Sequence, residues 1–206
     1  MEQQIGVVGY ECEDIVIYLA RIFSALGKRT AIIDRSEQEM LCEILGLHSK
    51  NGEDAKEREY CGIWITNRNV CAEEFDVVFC VFGYRLEHPK LHECDSILMI
   101  TDGMPAHASL LRRTCCKECN SYLLIRNLVP MKHTTDYLAG LAGGKAECGI
   151  VLYDEKDIRV KCGINGYGGI GIRHLSVGMK KSLVELLKFL ACKRSQKEIR
   201  EAMKKL

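Results

Sequence analysis

Apolar residues along this chain fall into short runs that stop at glycine or a polar turn, and these alternate with segments of helical period. Ile5-Gly6-Val7-Val8 ends at Gly9, and the polar turn Tyr10-Glu11-Cys12-Glu13-Asp14 follows. Helical spacing runs over residues 15–26 and stops at Gly27, and the run Thr30-Ala31-Ile32-Ile33 ends at Asp34. Buried strand, turn, amphipathic helix and second buried strand make a βαβ unit, because two parallel strands need a crossover of this kind. Residues 37–45 then predict a short helix with Ser36 as its N-cap. Residues 49–59 are charged, contain Asn51-Gly52 and predict a solvated loop. Strands are predicted over 60–66, 75–82, 95–101, 121–125 and 147–153. The continuous apolar run at 75–82 is the pattern of a central parallel strand covered on both faces. Helices are predicted over 106–116 with Pro105 near the first turn, over 134–141, over 176–192 and over 195–205. Residues 163–171 are glycine-dense and predict a loop.

Strands alternating with helices predict an α/β fold of three layers, α/β/α, around a mostly parallel, doubly wound sheet of six to eight strands. At 206 residues the expectation is one domain spanning 1–206, with helices closing it over 179–206. The net charge of +1 gives no global argument for nucleic acid, and no nucleic-acid partner is expected. No apolar run reaches the roughly 18 residues of a membrane helix, and the start of the chain does not read as a signal peptide, so the expectation is a cytoplasmic protein.

The 12 cysteines are scattered, and Cys42, Cys80 and Cys148 sit inside apolar runs, as buried free thiols do in a reducing compartment. Cys116 and Cys119, with Cys115 beside them, have the spacing of half a zinc site. No second such pair completes the four ligands a structural zinc needs. His88 and His92 are four residues apart with nothing tying them to the cysteines. No metal is expected.

Several segments carry a resemblance. Leu19-Ala20 followed by Leu26-Gly-Lys-Arg-Thr-Ala-Ile-Ile-Asp34 is similar to "LA…GKRVLLID", and Phe75-Asp76-Val77-Val78 to "YDYV". Cys94-Asp-Ser-Ile-Leu-Met-Ile-Thr101 is similar to "aDeillvt", with Pro105 to Arg112 resembling the helix after it. Leu124-Ile-Arg-Asn127 resembles a strand ending in Asn, and Val151-Leu-Tyr-Asp154-Glu-Lys-Asp157 resembles "lPyDe…". In this order and spacing, over roughly residues 4 to 190, the chain resembles the MinD/ParA group of deviant-Walker, SIMIBI-class P-loop ATPases. That group positions division, plasmid and secretion or pilus machinery. The resemblance implies a P-loop-NTPase-like, Rossmann-like sheet with a nucleotide site at the first turn. In this chain that site would comprise Gly9, Tyr10, Glu11, Cys12, Glu13, Asp14, Asp34, Val81, Gly83 and Asn127.

The departures fall at the chemistry. A phosphate loop offers backbone N–H groups, lysine and a hydroxyl for Mg²⁺. The turn from Gly9 to Asp14 has no lysine and no further glycine, and it is about four residues short by comparison with the group. Glu11, Glu13 and Asp14 stand where phosphates would lie, and carboxylates at a helix start occupy its dipole and free N–H groups themselves. Val81 aligns with the aspartate that would organise Mg²⁺. Asp34 survives and reads as a strand-end cap. The expectation is a degenerate member, a pseudo-ATPase with no catalytic residues and no cofactor. It would serve as a scaffold or adaptor in a secretion, pilus or positioning apparatus. Relatives sandwich two subunits face to face, which implies a partner face at Glu11, Glu13, Asp14, Arg35, Tyr84 and Arg85, binding a protein or a second copy as a dimer.

Two other readings stand beside it. One is an ATP-hydrolysing enzyme with an unconventional phosphate site. The other is a peripheral membrane-surface protein using the basic amphipathic segment 179–190, whose Leu183, Leu186, Leu187 and Leu190 share a face. Gly166-Tyr-Gly168-Gly-Ile-Gly171 matches GxGxxG but follows a polar stretch late in the chain, so it reads as a loop. His107 falls near strand ends and reads as a surface or capping histidine. Cys12 is near a helix start, but its acidic neighbours oppose thiolate formation.

Overall fold

In the computed structural model the described residues are 3–45, 57–70, 74–104, 106–107, 120–129, 147–164, 171–190 and 194–206. The helix predicted over 106–116 beyond His107, the helix predicted over 134–141, Cys115, Cys116, Cys119 and residues 166–170 of the glycine motif lie outside them.

Eight strands form one sheet: β1 (Gln3–Gly9), β2 (Thr30–Asp34), β3 (Glu57–Tyr60), β4 (Ile63–Thr66), β5 (Val77–Gly83), β6 (Ser96–Thr101), β7 (Asn120–Leu128) and β8 (Glu147–Leu152). Their spatial order is β3-β4-β2-β5-β1-β6-β7-β8. All neighbours are parallel except β3 and β4. Strands β2, β5 and β6 are buried along almost their whole length, which is why each appears in sequence as an unbroken apolar run. Alternate residues serve the two faces. Ile5, Val7, Ile32, Phe79, Val81, Leu98 and Ile100 belong to one core, and Val8, Ala31, Ile33, Val78, Cys80, Phe82 and Met99 to the other.

The first core is roofed by helices α1 (Glu13–Ala25), α4 (Val177–Phe189) and α5 (Gln196–Lys204). Helix α1 is buried nearly all round because it lies between the sheet and α5. Helix α4 starts at Ser176, whose hydroxyl accepts the N–H of Met179 at 3.0 Å. Leu183, Leu186, Leu187 and Leu190 are completely buried in the first core. The apolar face that made 179–190 a membrane-surface candidate is therefore already occupied by the protein's own core. Helix α5 begins with a reciprocal capping box between Ser195 and Glu198. Among the described residues no helix is long and apolar enough to cross a membrane.

Several expectations need correction. Residues 60–66 are not one strand but the end of β3, a tight turn and β4. Cys61 (φ +51°) and Gly62 (φ +78°) are both left-handed, which is what a two-residue hairpin turn demands. Residues 57–59, expected in a loop, pair in β3 with side chains outward. The helix expected at 37–45 is the shorter α2 (Met40–Ile44), and Ser36 is not its cap: Asp34 accepts the N–H groups of Leu41 (2.8 Å) and Cys42 (3.4 Å) instead. Finally, α3 (Glu155–Ile164) was not expected. Only Asp157 and Ile164 of it are buried, so no apolar stripe betrays it. Cys148, expected inside, is exposed on the edge strand β8, while Cys42 and Cys80 are buried as expected.

Candidate functional site: the first turn

Because the strands other than β3 run parallel, the carboxyl ends of β1, β2, β5, β6 and β7 lie at one edge of the sheet, where open α/β sheets bind ligands. The turn after β1 starts at Gly9, with φ +128°. A Cβ there would stand 1.8 Å from the carbonyl oxygen of Ile100 in β6, so only glycine fits. Tyr10 then donates its N–H to that carbonyl at 2.9 Å, and Glu11 adopts a left-handed φ of +47°. The chain turns directly into α1 with Cys12 at the N-cap position, which supplies no side-chain cap.

What closes this turn is a pair of cations from distant parts of the chain. Arg126, in β7, is 1% exposed, and Asp14, in the first turn of α1, is 2% exposed. Arg126 Nη1 donates to Asp14 Oδ1 at 2.5 Å and Nη2 to Oδ2 at 2.7 Å, a two-pronged pair. The same Nη1 also donates to the Glu11 carbonyl oxygen at 3.0 Å. Burial works to lower the Arg126 pKa, but the charge and hydrogen bonds of Asp14 outweigh it, so the pKa is raised and the guanidinium stays charged. Lys161, from α3, donates to the Glu11 carboxylate. Helix α3 is itself pinned to the start of α4, since Asp157 accepts the Ser176 N–H at 2.7 Å and hydroxyl at 2.8 Å.

These contacts place the expected residues as follows. Gly9, Tyr10, Glu11, Cys12, Glu13 and Asp14 do form the turn. Asp14, however, is withdrawn from the expected partner face, both its oxygens being held by Arg126 inside the protein. Nor does Asp14 cap α1 from within, as expected. Glu13 is half-buried, and burial raises its pKa despite its own backbone N–H. Cys12 is fully buried, and burial, followed by Glu13 and Asp14, pushes its thiol pKa well up, which leaves an unreactive thiol. Asp34 accepts from the Ser36 N–H (3.0 Å) and hydroxyl (2.6 Å) as well as from α2, so its acceptor positions are used as a cap. Val81 is 1% exposed between Val7 and Asp34 in the sheet, presenting a methyl-bearing side chain at the strand position under comparison. Gly83 ends β5 with φ +54°. Asn127 is half-buried and left-handed (φ +55°) where the β7–β8 register shifts.

Around the closed turn lies an aromatic rim. Tyr10 stacks on His107 with ring centroids 4.1 Å apart and planes 16° apart, and Tyr84 lies 6.4 Å from Tyr10. Asp102 holds His107 Nδ1 at 2.9 Å and accepts the Met104 N–H at 2.9 Å. Arg85 donates to the Arg35 carbonyl at 3.1 Å, and Arg35 donates to Asn69 at 2.5 Å. Tyr84 and Met104 are exposed. His88 accepts the Lys90 N–H through Nδ1 at the start of a single 3₁₀ turn. Among the described residues no cluster of His, Cys, Asp and Glu is arranged to hold a metal ion.

Sequence reasoning missed Arg126 and Lys161. The signal for Arg126 was present, since a charge inside the apolar run of β7 requires a buried partner. Nothing in the spacing of Lys161 points to Glu11, 150 residues away.

No family model and no curated protein matches the sequence. Solved structures do match in fold. A plasmid partition protein from Borrelia burgdorferi B31, determined bound to AMPPNP, superposes with a TM-score of 0.64 at 10% identity, covering 94% of this chain and all of that one. A second plasmid partition protein from Borrelia burgdorferi gives 0.56 at 10% identity, over 80% of this chain and 96% of that one. A ParA family ATPase from Chlorobium tepidum TLS gives 0.53 at 11% identity, over 99% and 96%. The fold is thus the ParA-like α/β fold of P-loop NTPases.

Proposed function

We propose that this protein is a ParA-like chain that has given up nucleotide chemistry and acts as a scaffold or adaptor, binding a protein partner or a second copy through the strand-end face. The observation that carries the reading is the closed turn. A triphosphate needs open backbone N–H groups and a mobile cation at this position. Here Asp14 is held inside by Arg126 and Glu11 is paired with Lys161, so both cations are already engaged. A phosphate could reach Arg126 only by displacing Asp14 and leaving a carboxylate buried without its partner, which costs about 3–5 kcal/mol. The surface that remains available is the rim of Tyr10, Tyr84 and Met104 flanked by Arg35, Arg85 and Glu13. Exposed aromatic and methionine side chains beside arginine are the composition of protein interfaces. The partner apparatus expected from the resemblance, secretion, pilus or positioning, belongs to the same proposal.

Calorimetric titration with Mg²⁺ and ATP, ADP or GTP should give no dissociation constant tighter than about 1 mM. Micromolar binding would overturn the reading and favour an ATPase with an unconventional phosphate site. Light scattering on the wild type and on Tyr84→Arg tests self-association through the face. A dimer that the substitution leaves intact would exclude the face as its interface.

A further inference from the structure

Two of the scattered cysteines meet inside the second core. Cys80 lies in β5 and Cys94 just before β6, each 5% exposed, and neither is in a disulfide. The Cys80 thiol is hydrogen-bonded to the Cys94 thiol. Gly6 of β1 makes the meeting possible. It is the register partner of Cys80, and a Cβ on it would stand 3.1 Å from Cys94 Sγ and 2.8 Å from Leu91 Cδ1. The missing side chain leaves Cys94 room to lie over β1 toward β5. Cys94 also donates to the Lys90 carbonyl at 3.4 Å.

Buried thiols are ordinarily inert, because burial disfavours the thiolate. Cys12 and Cys42 follow that rule: burial, with carboxylates beside them, pushes the Cys12 thiol well up and the Cys42 thiol up to about 12. Cys80 goes the other way. Its hydrogen bond with Cys94 is the largest cause, and the charges of Arg35 and Lys90 add to it, so its pKa is lowered in spite of burial. The two cations are held there together, since both donate to Asn69 Oδ1, at 2.5 Å from Arg35 Nη2 and 3.1 Å from Lys90 Nζ. Their shared acceptor is a neutral amide, which leaves their positive charge in place.

We propose that Cys80 and Cys94 form a redox-active dithiol that a peroxide converts to a disulfide. The Cys80 thiolate attacks one oxygen of hydrogen peroxide. The O–O bond breaks and hydroxide leaves, taking up the proton that Cys80 had lost to become water. Cys94 sulfur then attacks the sulfenic sulfur of Cys80. The S–O bond breaks, the S–S bond forms, and the leaving hydroxide takes the Cys94 proton as a second water. The two thiols give up two electrons, and the peroxide receives them. A small oxidant fits the slight exposure of both sulfurs, where a protein disulfide has no access. The segment between the two cysteines carries Tyr84 and Arg85, so the bond would fasten the root of the strand-end face. The proposal itself does not depend on the adaptor reading.

The test treats the intact protein with hydrogen peroxide in stoichiometric steps, alkylates the remaining thiols and maps the peptides by mass. Digestion at Lys, Arg and Glu separates Cys80 from Cys71. The expected product is the Cys80 peptide linked to the Cys94 peptide, two hydrogens lighter than the separate pair. It should form before the exposed Cys61, Cys148 and Cys162 lose their thiols, and dithiothreitol should reverse it. Cys94→Ala should abolish the link and leave a Cys80 sulfenic acid that dimedone traps. Arg35→Met should raise the pH at which Cys80 oxidation sets in, an effect that a purely structural arginine would not have. Both thiols surviving while the exposed cysteines oxidise, Cys80 linked to a different cysteine, or Cys80 driven to sulfinic acid beside an intact Cys94 thiol would each overturn the proposal. The wild-type map decides this even if a variant fails to fold. Micromolar nucleotide binding would overturn the adaptor reading and leave the dithiol untouched, so the two failures are distinguishable.

Discussion

Replacing Arg126 by methionine keeps much of the side-chain volume and removes a guanidinium that is 1% exposed. Asp14, 2% exposed, then loses both donors that hold it. Each charge-assisted bond contributes about 1.5–3 kcal/mol, and breaking a buried pair from one side typically costs about 3–5 kcal/mol because the abandoned charge stays in low dielectric. Among the described residues Arg126 Nε is itself buried without a partner, so part of its desolvation is uncompensated and the lower half of that range applies. A loss of about 3–4 kcal/mol is therefore expected, against the roughly 5–15 kcal/mol that a domain has in total. With a urea slope of about 2 kcal/mol per molar, the midpoint should fall by about 1.5–2 molar. The double variant Asp14→Leu with Arg126→Met removes both charges together and should recover all but about 1 kcal/mol of this. Circular dichroism at fixed pH, with the slope checked for constancy, measures both. If Arg126→Met lost less than about 1 kcal/mol, or if the double variant were no better than the single, the pair would not be what holds the first turn shut.

Gly9→Ala should be far more damaging than an ordinary glycine replacement, by well over ~2 kcal/mol in the same assay, because the new Cβ meets backbone rather than a side chain that can move. Glu13→Gln should stabilise the protein at pH 7. Burial raises the Glu13 pKa, so the folded state binds the proton more tightly than the unfolded chain, and its share of stability falls as pH rises from the unfolded value through the folded one. The gain from Glu13→Gln should shrink below about pH 4, where both states are protonated, and melting at several pH values checks this. Leu187→Ala should cost about 2–5 kcal/mol by opening a cavity in the first core. The wild type should not co-sediment with vesicles through this face, and vesicle binding enhanced by Leu183→Ala or reduced by Leu187→Ser without loss of stability would contradict the packing.

Strands β2, β5 and β6 were legible because they are covered on both faces, so burial wrote itself as apolar runs. The hairpin was not, because its left-handed turn falls on Cys61-Gly62 rather than Asn-Gly, and β3 is a row of charged residues. Helix α3 escaped for a related reason: a helix held mainly by the buried Asp157 and Ile164 has no hydrophobic period to read. At the turn, the sequence shows three carboxylates and no lysine between Gly9 and Asp14. It did not signal that cations return from β7 and α3, since a contact made across 112 or 150 residues leaves no local pattern. Asp34 was legible as a cap because it ends a buried strand beside Ser36, a residue able to close a short polar turn.

Strand β3 has one further consequence. It is the outermost strand on its side of the sheet, runs against its neighbour, and displays Glu57, Arg58 and Glu59 to solvent. A neighbouring molecule adding itself there would have to bring its own backbone alongside these ionised groups, and in a second copy the glutamates would face like charges. This side of the sheet is thereby guarded against fibril-like growth, which steers any pairing of chains toward side-chain contacts instead of a shared, extended sheet.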